Sequence, residues 1–253
     1  MTEATRCGYV AIIGRPNVGK STLLNYILGM KLSITSRKPQ TTRHQILGVK
    51  TTDNVQAIYV DTPGIHQRRG TAINKYMNRA ATSVLGDVDV ILFVVQAKQW
   101  TEEDQAILER LKGVKVPVIL VVNKMDKLAS KKQLLPVIQE LSAMFDYADI
   151  VPVSALNGVN TDVLEQAVAK LLPENDFIYP EDQVTDRNMR FLASEIIREK
   201  LVRELGQELP YTTAVVIDKY EEDTDLVSIH ATIFVESNGQ KSIIIGKKGV
   251  RLK

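Results

Sequence analysis

The sequence predicts an α/β architecture, a mostly parallel sheet flanked by helices, followed by a smaller α+β domain. Three observations carry that prediction. Apolar, β-branched runs recur along the first two-thirds of the chain with amphipathic stretches between them, as expected when helices cover both faces of a sheet. A glycine-rich loop, Gly14-Arg15-Pro16-Asn17-Val18-Gly19-Lys20-Ser21, joins the first such run to the first helix. Past residue 172 a polar, proline-marked segment ends the alternation, and the order becomes helix, strand, strand, helix.

Taken in order, residues 10–13 form the first strand and 22–28 lie in the helix after the loop. Residues 46–51 and 55–60, split by Thr52-Asp53-Asn54, read as an antiparallel hairpin. The near-continuous apolar runs at 88–95, 116–122 and 150–153 are strands buried on both faces. Helices around 72–85, 102–112, 131–145 and 161–172 connect them. The first domain is therefore residues 1–175, a polar link holding Tyr179-Pro180-Glu181-Asp182 occupies 176–187, and a second domain spans 188–253. There, a helix over 188–205 is stopped by Gly206. Strands at 212–219 and 226–235 flank the acidic Glu221-Glu222-Asp223. A short helix then carries Ile243-Ile244-Ile245 into Gly246-Lys247-Lys248-Gly249.

Composition narrows the class. With 253 residues, 44% hydrophobic and 25% charged, the chain has the make-up of a globular protein with ample core. No run approaches eighteen consecutive apolar residues, and the N-terminus lacks the apolar centre of a signal peptide. The single cysteine, Cys7, cannot form an internal disulfide, which fits a reducing cytoplasm, and its place before the first strand suggests packing rather than chemistry. A net charge of +2 leaves nucleic-acid binding to a local patch.

The loop from Gly14 to Ser21, continuing into Thr22, matches GxxxxGK[ST] between a strand and a helix. Its glycines let backbone N–H groups curl around phosphates, and the helix N-terminus adds partial positive charge. Lys20 then reaches the β- and γ-phosphates, and the Ser21 hydroxyl sits on Mg²⁺. Asp61-Thr62-Pro63-Gly64 follows another strand: Asp61 can hold Mg²⁺ through a water, and the Gly64 N–H can meet the γ-phosphate. Asn123-Lys124-Met125-Asp126 ends a third strand. The Asp126 carboxylate can accept from both N1–H and the 2-amino group of guanine, donors adenine lacks, and the unpaired carboxylate would disfavour the wrong base by ~10⁴-fold. Asn123 ties this loop to the phosphate loop, and the Lys124 stem covers the base. Ser154-Ala155-Leu156 ends the next strand and can present the Ala155 N–H to guanine O6.

This ordered set resembles the translation-factor-like P-loop GTPases, and Pro39-Gln40-Thr41-Thr42-Arg43-His44 resembles the switch I of the Era family of ribosome-assembly GTPases. Asn17 and the trailing Gly246-Lys247-Lys248-Gly249 fit the same family. The resemblance implies that Thr42, rather than Thr41, coordinates Mg²⁺ when the γ-phosphate is present, that Lys20, Thr42 and Gly64 serve catalysis, and that Asn17 helps hold K⁺ beside the phosphates. It further implies GTP and GDP as ligands, the 3′ end of 16S rRNA and the 30S subunit as partners, a monomer, and a cytoplasmic location with peripheral contact to the inner membrane.

Hydrolysis needs positioning and charge stabilisation rather than covalent chemistry. Many GTPases place a glutamine directly after DxxG to orient the attacking water; here Ile65 stands there, so intrinsic turnover is expected to be slow. His66 belongs with Arg68, Arg69 and Gly70 in a switch II loop rather than serving as base.

In the second domain the setting of the GxxG matters more than the tetrapeptide, since about one is expected by chance in a chain this long. The order of elements resembles a KH domain of prokaryotic topology. A complete domain of that kind needs another helix and strand after Gly249, so its C-terminal part is expected to be missing. From residue 180 onward, 11 Lys/Arg stand against 13 Asp/Glu, yet Lys241, Lys247, Lys248, Arg251 and Lys253 cluster at the end, focusing positive charge on a loop that phosphates can approach. Ile243–Ile245 are expected mainly in the core, with one or two lining a base-binding groove. The same lysines would suit anionic lipid or a protein partner. A metabolic kinase has no need of the guanine-reading loop.

Overall fold

The computed structural model describes residues 4–35, 45–62, 87–204 and 213–252. The chain divides into two compact units, one of residues 1–33 and 42–186, the other of residues 187–253 together with the segment 34–41. In the first, strands β1 (Arg6–Ile13), β2 (Ile46–Thr52), β3 (Val55–Asp61), β4 (Val90–Gln96), β5 (Val118–Asn123) and β6 (Asp149–Pro152) form one sheet in the order β2-β3-β1-β4-β5-β6. Only β2 runs antiparallel, joined to β3 through Asp53 and Asn54, with Asp53 at φ 47°. Among the described residues, the α-helices of this unit are α1 (Lys20–Leu28), α2 (Glu102–Leu111), α3 (Leu134–Ser142) and α4 (Thr161–Leu171).

The apolar runs become central strands because both of their faces are covered. Every residue of β5, and of β4 up to its last, is buried. Ile13, Phe93, Val95, Leu120 and Val122 pack with Ile107, Leu108 and Leu111 of α2 in one core. α2 starts at a capping box: the Thr101 hydroxyl accepts from the Asp104 amide and the Asp104 carboxylate accepts from the Thr101 amide. The segment expected as one helix over 131–145 is instead a 3₁₀ turn (Lys131–Gln133) followed by α3, whose third residue is Pro136. A proline is tolerated in a first turn, where no amide partner is lost, but not farther in. The helix expected at 72–85 lies outside the described residues, as does Gly206.

The polar segment after α4 is not a free tether. It runs back along the start of β1, where Cys7 N–H donates to Pro173 O and Asn175 N–H to Thr5 O. Phe177 and Tyr179 then pack on Cys7, Val49 and Ile58. Farther on it pairs with the edge of β2: Val49 N–H donates to Val184 O at 2.8 Å and the Thr185 hydroxyl to Leu47 O at 2.7 Å. Gln56, fully buried, organises this crossing. Its Oε1 accepts from the Ile178 and Tyr179 amides, both at 2.9 Å, and its Nε2 donates to Tyr179 O at 2.8 Å and Thr51 Oγ1 at 3.0 Å. The Cys7 thiol also donates to Oε1, and burial pushes its pKa up, so the cysteine packs rather than reacts.

The second unit holds α5 (Met189–Glu204), the antiparallel pair β7 (Ala214–Glu222) and β8 (Val227–Phe234), α6 (Asn238–Ile245) and a 3₁₀ segment (Lys247–Leu252). β7 extends through Glu221 and Glu222, so the acidic residues expected as a connector end the strand. The turn closes at Asp223, whose N–H donates to Leu226 O. Within α5, Arg198 grips Glu195 through two hydrogen bonds of 2.8 Å, a buried pair whose fork geometry offsets the cost of desolvating both ions.

Replacing Gln56 by Leu keeps the volume but strands the amides of 178 and 179 and the carbonyl of 179. We expect a loss of about 2–4 kcal/mol in urea unfolding of the full chain. A loss under about 0.5 kcal/mol would mean that the aromatic side chains alone hold the crossing.

Candidate functional site

The phosphate loop leaves β1 at Ile13 and enters α1 at Lys20. Gly14 (φ 150°) and Gly19 (φ 108°) take backbone conformations that side chains rarely adopt. A Cβ on Gly14 would lie 2.4 Å from Val94 O, and one on Gly19 would lie 2.3 Å from Asn123 Nδ2. Asn17 is left-handed too, at φ 63°, a conformation asparagine tolerates, so its place in the loop has a backbone reason apart from any cation. Gly19 caps α1 without a side-chain hydrogen bond, and no acidic residue sits in the first turn, which keeps that N-terminus suited to an anion.

Lys20 is buried, its ammonium donating to Gly14 O at 2.9 Å and Arg15 O at 3.1 Å. Burial lowers its pKa to about 8, against a smaller opposing pull from Asp61. A polyphosphate beside it supplies the countercharge that favours the protonated form. The Arg15 guanidinium is taken up by neighbouring protein groups: Nε donates to Asp104 Oδ2 at 2.9 Å and Nη2 to Gln99 O at 3.4 Å. A part in nucleotide binding, expected from the motif, would therefore fall to its backbone.

Asp61 closes β3 beside Ile12 and is fully buried. Its Oδ2 accepts from the Ser21 hydroxyl at 2.9 Å and from the Ser33 hydroxyl at 2.7 Å. Ser33 escaped the sequence reading. It is placed by Asn25, whose Oδ1 accepts from the Leu32 and Ser33 amides and whose Nδ2 donates to Ser33 O. A buried carboxylate next to the serine hydroxyl of the loop is a hard-oxygen donor set that fits Mg²⁺. Thr62 is turned inward, its hydroxyl on Ile12 O. Pro63, Gly64, Ile65, His66 and Thr42 lie outside the described residues.

The base-reading loops meet at Asn123, the last residue of β5. Its Nδ2 donates to Val18 O at 2.8 Å, and its Oδ1 accepts from the Lys124 amide at 2.7 Å and the Ala155 amide at 3.0 Å. The tie between this loop and the phosphate loop, expected from sequence, is thus present. The Ala155 N–H, expected to face guanine O6, is directed at Asn123, so a base would have to share it. Lys124, left-handed at φ 62°, reaches over to Asn17 O, which also accepts from Gln96 Nε2 at 3.0 Å. Asp126, in a 3₁₀ turn (Met125–Lys127), accepts from the buried Ser154 hydroxyl at 2.7 Å, which fixes the carboxylate and leaves lone pairs for a base. Leu156 is exposed.

In the second unit, α6 is capped by Ser237, whose hydroxyl accepts from the Gln240 amide. Ile244 is buried against Leu201, Ile233 and Val235, whereas Ile243 is partly exposed. The turn after it places Gly246, Lys248 and Gly249 at positive φ. An open hollow of 710 Å³ is lined by Ile243, Gly246, Lys247, Lys248 and Val250. Of the three isoleucines expected mainly in the core, only Ile244 is buried there; Ile245 is half-buried and Ile243 lines the hollow, because a helix at a surface turn points consecutive residues in different directions.

These features can be set beside known proteins. Residues 9–124 match the family described as 50S ribosome-binding GTPase, and residues 208–253 match the KH domain. The GTPase Era of Ectopseudomonas mendocina is 58% identical over 255 residues, covering all of this chain and 85% of that protein. The GTPase Era of Azotobacter vinelandii is equally similar, over the same shares of both chains. Among solved structures, Era in complex with MgGDPNP and nucleotides 1506–1542 of 16S ribosomal RNA superposes with a TM-score of 0.93 at 42% identity, covering 98% of this chain and 85% of the other. An Aquifex aeolicus Era variant bound to GDP·AlF4⁻ gives a TM-score of 0.92 at the same identity and coverage. A phosphate loop stitched by Asn123 to the Asn123–Asp126 turn, followed by a KH unit and matched by such relatives along its whole length, leaves one assignment: the chain belongs to the Era family of GTPases.

Proposed function

We propose that this chain is a GTP-hydrolysing switch that binds the 3′ end of 16S rRNA and assists assembly of the 30S subunit. The observation that carries the nucleotide half is the Asn123 carboxamide, which locks the phosphate loop to the Asp126–Ser154 pair, so triphosphate and purine are gripped as one unit. In this reading Lys20 exchanges the carbonyls of Gly14 and Arg15 for the β- and γ-phosphates, and the amides opening α1 surround them. Ser21 and Asp61 would hold Mg²⁺, with Thr42 joining them, and the ion supplies charge neutralisation at the β- and γ-oxygens. The Gly64 N–H would meet the γ-phosphate. The RNA half is supported by the hollow at the GxxG turn, with its two lysines and exposed Ile243, and by the rRNA complex of the similar Era structure.

Calorimetry tests the first half. GTP is expected to bind and ATP not, and Asp126→Asn should weaken GTP by ~10²-fold or more. Equal binding of the two nucleotides would sink the reading.

The catalytic side adds K⁺ near Asn17, whose carboxamide supplies an oxygen of the hard type such a cation takes. With Ile65 in place of a water-orienting glutamine, hydrolysis should run faster in KCl than in NaCl, and Asn17→Ala should erase the difference. Equal rates in the two salts would remove K⁺ from the site.

For the second half, filter binding to single-stranded RNA should weaken when Lys247 and Lys248 become Glu, and the slope of log affinity against log salt should flatten by about 1.4. Unchanged RNA binding, with lost binding to phosphatidylglycerol vesicles, would assign the loop to the inner-membrane surface instead.

A further inference from the structure

We propose that Asp104 is a positioning residue for the nucleotide, acting through Arg15 on the phosphate loop. The loop is anchored at several points by groups from neighbouring elements. Two of these hold its middle and end: Gln96 and Lys124 at Asn17 O, and Asn123 at Val18 O. The third holds its beginning. Arg15 is nearly buried, its Nε donating to Asp104 Oδ2 at 2.9 Å and its Nη2 to Gln99 O at 3.4 Å. The Arg15 carbonyl is itself one of the two oxygens that receive Lys20. Asp104 thus acts one residue away from the group that meets the phosphates.

Asp104 does two things with one oxygen. Its Oδ2 also accepts from the Thr101 amide at 3.0 Å and the Thr101 hydroxyl at 2.8 Å, closing the capping box of α2. Its Oδ1 is buried with no hydrogen-bond partner among the described residues. A cap alone needs no buried charge, because the same box works at a solvated helix end. A fully buried carboxylate with one oxygen left over is costly unless a cation faces it, and Arg15 is that cation. The pair spans 89 residues of sequence and joins the N-terminus of α2 to the phosphate loop.

The two duties separate in the substitution Asp104→Asn. A carboxamide oxygen can still accept from Thr101, but it no longer carries the charge that holds the guanidinium. This proposal rests on the guanine-nucleotide reading of the loop. The test measures GDP affinity, KM and kcat for GTP, and urea stability on the full chain, for Asp104→Asn, Arg15→Ala, the double variant, and Arg15→Lys as a milder change. We expect Kd for GDP and KM for GTP to rise about fivefold to tenfold in Asp104→Asn and in Arg15→Ala, and less in Arg15→Lys, which keeps the charge facing Asp104, with kcat within about twofold. The double variant should be no worse than either single one. Unchanged affinity with lowered stability, or losses that multiply in the double variant, would overturn the proposal. Failure of the wild-type chain to bind GDP or GTP would instead refute the nucleotide reading itself.

Discussion

Everything at the nucleotide site depends on one side-chain amide held out of water. Asn123 is buried and spends both ends of its carboxamide on backbone groups from three segments: the phosphate loop, its own turn and the loop after β6. Leaving such a group half-satisfied costs about 1–3 kcal/mol, so the three segments adopt their conformations together or not at all. The constraint also explains Gly19. Its left-handed φ suits the entry to α1, but the distance from its virtual Cβ to Asn123 Nδ2 shows that a side chain would also push the asparagine away. One glycine therefore serves both the turn and the crossing of two loops.

The sheet brings these loops to one edge. β1 and β3 to β6 are mutually parallel, and each releases its functional segment at its carboxyl end, the place where open α/β sheets bind ligands. Register does the fine placement. Ile12 lies beside Asp61, and Gln96 beside Asn123, so the buried carboxylate and the loop-tying asparagine end strands that flank β1 and β4, on either side of the point where the phosphate loop leaves β1. The antiparallel β2 stands outside this pattern. Its free edge is covered by the 184–185 segment, which removes an unpaired strand edge from the first unit.

What could be read in the sequence was whatever is written locally. The loop between Gly14 and Ser21, the DxxG start and Asn123–Asp126 have fixed spacings set by backbone geometry, and the strands are continuous apolar runs. What escaped was chemistry joining distant positions. Nothing around Gln56 marks it as the clamp on Ile178 and Tyr179, because a lone glutamine in an apolar strand has no periodic signal. Ser33 and Asn25 escaped for the same reason. Asp104 is the instructive case: Thr101-x-x-Asp104 before an apolar run is a legible capping pattern, yet no local rule reveals that the carboxylate also turns toward Arg15. Pro136 was a readable mark of a helix start, since proline suits a first turn, which the amphipathic pattern over 131–145 obscured.

The second unit shows why net charge was a poor guide there. Acidic residues outnumber basic ones from 180 onward, but Glu221, Glu222 and Asp223 sit at the far end of the β7–β8 hairpin in the chain, and Lys247 and Lys248 follow α6. Exposed charges act over roughly 8–10 Å at physiological salt, so a polyanion meeting the turn responds to the local lysines and not to the total. The backbone reinforces this. Positive φ at Gly246, Lys248 and Gly249 makes a tight turn over the hollow, and Ile244 fixes the helix to the core while Ile243 stays at the rim. Charge, turn and apolar lining converge on a surface suited to a strand with phosphates on one side and bases on the other.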